Sequence, residues 1–175
     1  MPKIELIKNR PNIHTISLLV ANKPGVLLRI SLIFSRRGFN IESLVVSPTL
    51  DGRYSRMTIT AHGEPSVLEQ IIKQASKLID VVHASEHKDS RQVVEKELAL
   101  IKVQAKAEKR AELLQVIHHF KAITTDLGPE ELIIQVTGST EKLDAMIAFL
   151  QDYGIIELVR TGKVVMLRGK ITEQE

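Results

Sequence analysis

Asn22-Lys23-Pro24-Gly25-Val26 places a carboxamide, a helix-starting proline and a residue without a side chain within five positions. A helix that begins there presents unpaired backbone N–H groups and partial positive charge, which suits a free carboxylate. Gly25 leaves the approach open. Asn40 carries both a donor and an acceptor, so it can read the ammonium and carboxylate of one amino acid, and Ile41 adds backbone contacts and an apolar wall. Asn22, Gly25, Val26, Asn40 and Ile41 are therefore the candidate binding residues, expected at adjacent ends of the first two strands. The same residues also have a purely structural reading: Pro-Gly starts helices, and asparagine often follows a helix-ending glycine.

Other groups that could do chemistry carry less. His83 and His87 lie four apart and His118-His119 are adjacent, but no acidic residues accompany them in metal-ligand order, so packing or surface roles are expected and no metal. Glu130-Glu131 falls at an expected hairpin, and Glu95 and Glu97 flank a strand entry; neither pair forms an acid–base site. There is no cysteine, phosphate-binding loop, nucleophile elbow or dinucleotide fingerprint, so no catalytic residue is assigned.

The elements around the candidate site follow from periodicity. An apolar, β-branched run at residues 13–20 predicts a strand, and Val26, Leu27, Ile30, Ile33 and Phe34 recur at helical spacing until Gly38. Residues 41–47 and 57–61 read as a hairpin around Asp51-Gly52. A helix spaced by Val67, Leu68, Ile71, Ile72, Ala75, Leu78 and Ile79 leads to a strand at 80–85. The order βαββαβ then repeats: a strand at 98–104, a helix at 109–120, a hairpin near Gly128-Pro129, a helix at 141–153 and a strand pair within 155–167. This predicts an α+β chain of two ferredoxin-like βαββαβ domains: an arm at 1–12, domains at 13–87 and 97–170, a linker at 88–96 and a tail at 171–175.

Charge and composition limit the partners. The 24 basic and 21 acidic residues leave only +3, too little for a nucleic-acid field. With 3% aromatic residues, Arg53-Tyr54-Ser55-Arg56-Met57-Thr58-Ile59 lacks the stacking pattern of the RNA-recognition domains that share this topology. Neither a signal-peptide core nor an apolar run of membrane-span length occurs, so a cytoplasmic protein is expected, with no membrane partner.

Ala21 to Leu27, with Arg36-Arg37-Gly38-Phe39-Asn40-Ile41-Glu42-Ser43-Leu44 and Ser55-Arg56-Met57-Thr58-Ile59, resembles the ACT domain of acetolactate synthase small subunits. Glu97 to Val103, Gly154 to Gly162 and Arg168-Gly169 are similar to that family's C-terminal domain. The resemblance covers about residues 13–170, with a looser match at Ile123-Thr124-Thr125-Asp126. It implies a non-catalytic regulatory subunit that activates a large catalytic subunit and confers feedback inhibition by valine, or by leucine or isoleucine, bound where two ACT domains pair as a homodimer. Thiamine diphosphate, magnesium and FAD would belong to the catalytic subunit, none to this chain. Two alternatives are a free-standing ACT regulator and a small hydrolase with Arg29 and Asn40 on a phosphate; the latter lacks a general base.

Overall fold

The structure, a computed structural model, describes residues 12–87 and 91–169. Residues 1–11 of the expected arm, 88–90 of the expected linker and the expected tail lie outside the described residues. The chain divides into two compact units. Of the described residues, 12–87, 91–95 and 162–169 make up the first and 96–161 the second.

In the first unit, β1 (Ile13–Ala21), α1 (Val26–Arg36), β2 (Asn40–Pro48), β3 (Tyr54–His62), α2 (Pro65–Ala75) and β4 (Val81–Glu86) follow the expected order. The sheet is antiparallel with strand order β2-β3-β1-β4, the ferredoxin-like arrangement. Helix α1 buries Val26, Ile30 and Phe34, four residues apart and so on one face, and α2 buries Leu68, Ile71 and Ala75 behind Pro65 in its first turn. They pack on Ile16, Leu18, Val20, Met57, Ile59 and Ala61 from the two central strands. Each such large apolar side chain contributes about 1.5–3 kcal/mol. Gly38, at φ +70°, ends α1, and its N–H bonds to the Ser35 carbonyl.

The opposite face of this sheet is polar yet buried. Thr15, Ser17, Thr58 and Thr60 are all enclosed, together with Leu19. A returning segment from the far end of the chain belongs to the same unit. β9 (Val164–Leu167) pairs with the start of β5 (Val93–Gln104). Val93 and Val165 are buried, Lys163 pairs with Glu95 at 2.9 Å, and Arg168 bonds to the Gln92 and Val93 carbonyls. Gly162, at φ +84°, lies so close to β2 that a Cβ there would collide with Ser43.

The second unit holds the rest of β5 with α3 (Ala107–His119), β6 (Ile123–Leu127), β7 (Glu131–Gly138), α4 (Thr140–Leu150) and β8 (Ile155–Arg160), in the strand order β6-β7-β5-β8. Alternation along β5 and β7 sends Ala99, Ile101, Val103, Leu132, Ile134 and Val136 against Leu113 and Ile117 of α3 and Leu143 and Ile147 of α4. Ser139 caps α4 by accepting from the Lys142 N–H. Arg110 donates to the carbonyls of Ala105, Gly128 and Pro129 and so pins the β6–β7 turn.

The strand pair expected within 155–167 is present as β8 and β9, which run one after the other along β5. Thr161 N–H bonds to the Leu98 carbonyl and Lys163 reaches Glu95, so the chain continues in one direction. Three other expectations need correction. The stretch read as a linker through residue 96 already forms β5 from Val93, and the segment from Gly162 packs with the first unit rather than the second. The last helix stops at Leu150 and tightens into a 3-10 turn, Gln151–Tyr153, that reaches Gly154 at φ +84°.

Glu97 is buried in the second unit and is matched there. Arg160 donates to Glu97 at 2.5 Å and to Asp144 at 2.6 Å, and Thr140 donates its hydroxyl to Glu97. Burial works against the Arg160 charge, but the two carboxylates outweigh it and hold its pKa above the ordinary value.

Candidate functional site

The end of β1 is tied down on both sides before α1 begins. Ala21 N–H bonds to the Asp80 carbonyl at 2.7 Å and Asn22 N–H to the Arg53 carbonyl at 2.9 Å. The Asn22 side-chain amide donates to the Gly52 carbonyl at 3.0 Å, so it braces the β2–β3 turn and directs its nitrogen there. That turn is itself fastened by Asp51, which accepts from the Thr49 hydroxyl at 2.7 Å and from Arg53. The Thr49 bond, then Arg53, lowers the Asp51 pKa below its ordinary value.

Gly25 occupies the left-handed region at φ +83° and precedes α1 with no side-chain cap. The first-turn N–H groups therefore depend on other partners. Arg29 sits alongside: a Cβ on Gly25 would lie 3.5 Å from its Nη1, while its Nη2 pairs with Asp80 at 2.5 Å. Asp80 balances the Arg29 charge, so the positive potential at this turn comes from the helix terminus. Val26 is buried, so its side chain serves the core and only its backbone faces the turn.

Asn40 and Ile41 stand elsewhere. In the register, Asn40 is level with His62, which is level with Ile13 at the start of β1; Ala21, at the end of β1, is level with Tyr54. Eight residue steps separate the two ends, roughly 26 Å at the rise of a strand. The expectation of adjacent strand ends is thereby overturned within one copy of the chain, because β2 runs antiparallel to β3 and starts at the far end of the sheet.

At that far end a hollow of about 570 Å³ opens between the C-terminal half of α1 and the start of β2. Ser31, Leu32, Ser35 and Gly38 line it together with Asn40 and Ile41, and Phe34 and Phe39 form its floor. Phe39 is fixed from beneath, since its ring occupies the space a Cβ on Gly63 would need. The Asn40 amide donates to Glu42 at 3.0 Å. Sequence reasoning missed this hollow. Its signal was the pair Ser31 and Ser35, one turn apart on a helix otherwise rich in leucine and isoleucine and followed by a side-chain-free Gly38.

Two more features bear on this side of the unit. β2 is an outer strand of its sheet, and α1 exposes Leu27, Leu28 and Leu32. His62 is level with Asn40 on β2, and the other five histidines lie outside β2 and α1. His14 sits between Glu86 at 2.8 Å and the Gly63 carbonyl, His87 bonds to the Ser17 hydroxyl, and His83 is level with Leu19. His118 and His119 end α3. Among the described residues no three His, Asp or Glu side chains converge in a way that could hold a metal ion, and no helix is long and apolar enough to cross a membrane.

Fold and geometry define a two-unit α+β protein whose first unit offers ligand-sized features at its strand–helix turns and an open strand edge beside them. Residues 16–83 match the family described as the AHAS small subunit-like ACT domain, and residues 96–169 that described as the small subunit of acetolactate synthase. A probable acetolactate synthase small subunit of Archaeoglobus fulgidus is 50% identical over 156 residues, 89% of this chain and 97% of that protein. The acetolactate synthase small subunit of Mycobacterium bovis is 46% identical, over 91% and 94% of the two chains. The crystal structure of the small subunit from Thermotoga maritima superposes with a TM-score of 0.82 at 38% identity, over 92% of this chain and all of that one. The chain belongs to the acetolactate synthase small-subunit family, with an ACT domain in its first unit.

Proposed function

We propose that this chain is the regulatory subunit of an acetolactate synthase: it activates the large catalytic subunit and makes that subunit responsive to valine, ahead of isoleucine and leucine. The observation that carries this reading is the separation of the Asn22–Gly25 turn from Asn40. No single amino acid can touch both within one copy. A two-fold pairing of β2 with the β2 of a second copy, antiparallel about Leu44, sets the second copy's Asn40 opposite Pro48. Pro48 is level with Ser55, and Ser55 with Val20, so Asn40 then arrives at the end of the sheet that holds Asn22 and Gly25. The open β2 edge and the exposed Leu28 and Leu32 of α1 suit such a pairing.

In that homodimer the α1 N-terminus holds the effector carboxylate, Gly25 clears its approach, and Asn40 of the other copy reads the ammonium and carboxylate together. Binding then favours one arrangement of the dimer, and the catalytic subunit responds through its different affinity for the two arrangements. Thiamine diphosphate, magnesium and FAD act in the catalytic subunit, and the assembly works in the cytoplasm.

The test is acetolactate formation by the catalytic subunit with and without this chain, across a valine titration. Stimulation by the chain and inhibition by valine are expected. Asn40→Ala removes hydrogen bonds to a charged ligand, about 1.5–3 kcal/mol, and should weaken the valine response about 10- to 100-fold while stimulation persists. An unchanged valine response in that variant refutes the site, and failure of the chain to affect a cognate catalytic subunit refutes the role.

A further inference from the structure

We infer that the hollow between α1 and the start of β2 receives the aliphatic side chain of the effector, and that Leu32 sets the size that fits. This deepens the regulatory reading above and rests on its two-fold site.

The placement follows from the same pairing. α1 lies on the β2 side of the sheet and α2 on the β4 side. Two antiparallel β2 strands joined edge to edge therefore bring two α1 helices side by side, N-terminus beside C-terminus. The hollow lies at the C-terminal half of α1, so it faces the other copy's Gly25 turn. An amino acid held at that turn by its carboxylate directs its side chain into the hollow. The lining suits an amphipathic small molecule: Ser35 and Asn40 are polar, Leu32 and Ile41 are apolar, and Phe34 and Phe39 close the bottom. The space exceeds what one amino acid needs, which leaves room for the other copy's turn.

Rigidity gives the wall its selectivity. Phe39 is backed by Gly63 and Phe34 is fully buried, so the floor cannot retreat. Leu32 is 42% exposed and stands at the rim, where its bulk is the adjustable boundary. Shortening it makes room for one more methylene, and enlarging it fills the hollow.

Reconstituted holoenzyme is assayed for inhibition by valine, isoleucine, leucine and alanine, with sedimentation of each variant to follow the dimer. Leu32→Val should improve leucine and isoleucine relative to valine by about fourfold, the value of one buried methylene, and Leu32→Phe should weaken valine at least tenfold while sparing alanine. Where Leu32→Phe loosens the dimer, Ile41→Val carries the same comparison from the opposite wall. Unchanged ratios among the four amino acids, together with loss of inhibition in Asn40→Ala, overturn the inference and leave the two-fold site standing. Full valine response in Asn40→Ala overturns both.

Discussion

Gly162→Ala tests the return of the chain to its first unit. Two costs are expected and they are separable. An alanine held near φ +84° loses about 1–2 kcal/mol to the clash of its Cβ with the backbone. Its Cβ also meets the Ser43 side chain, and overpacking of that kind costs about 1–3 kcal/mol. The sum is about 2–5 kcal/mol, a large share of the stability of a small domain. Beyond the Ser43 side chain the next neighbour of that Cβ is the Ser43 Cα at 3.7 Å, an ordinary contact. Ser43→Gly should therefore cancel the steric part in the double variant and leave the conformational part. Urea denaturation of the two single variants and the double one gives the coupling, expected at about 1–3 kcal/mol. Amide exchange locates the damage, which should fall on β1, β2 and β3. Additive variants within about 0.5 kcal/mol, or faster exchange confined to residues 96–161, would refute the packing of Gly162 on β2.

Arg160→Met leaves Glu97 buried without its cation and should cost the second unit about 3–5 kcal/mol, read as a lower urea midpoint; adding Glu97→Leu should recover much of that loss. Asp51 has a lowered pKa, so its contribution is present above about pH 4 and is lost as pH falls through the folded value. Acidification should therefore loosen the β2–β3 turn and free the Asn22 side-chain amide from Gly52, followed by NMR of that amide. Asp51→Asn should make the loosening independent of pH.

Much of the fold was legible because period-2 and period-3.6 patterns are local. Ile16, Leu18 and Val20 announce a strand, and Val26, Ile30 and Phe34 a helix, whatever their partners. Pairing is not local. Val164-Val165-Met166-Leu167 reads as a strand, but nothing in those four residues says whether it turns back on β8 or runs on along β5. The start of β5 escaped because Glu95 and Lys96 look like linker; the Glu95 charge is matched by Lys163, and that of the next strand residue Glu97 by Arg160, each more than sixty residues away. At the candidate site the residue types pointed to amino-acid chemistry, whereas the distance between Gly25 and Asn40 depends on register, which spacing along the chain does not encode.

The return of β9 also orders events in time. The first unit is the earlier one to be synthesised, yet the segment that sets Gly162 against Ser43 of β2 follows about 66 further residues, the span from Lys96 to Thr161. At roughly 5–20 residues per second the nascent first unit waits about 3–13 seconds before Gly162 reaches Ser43. The Ser43 hydroxyl tolerates water during that delay where valine or isoleucine would invite aggregation, so a polar side chain at this contact suits the interval before its partner segment is made.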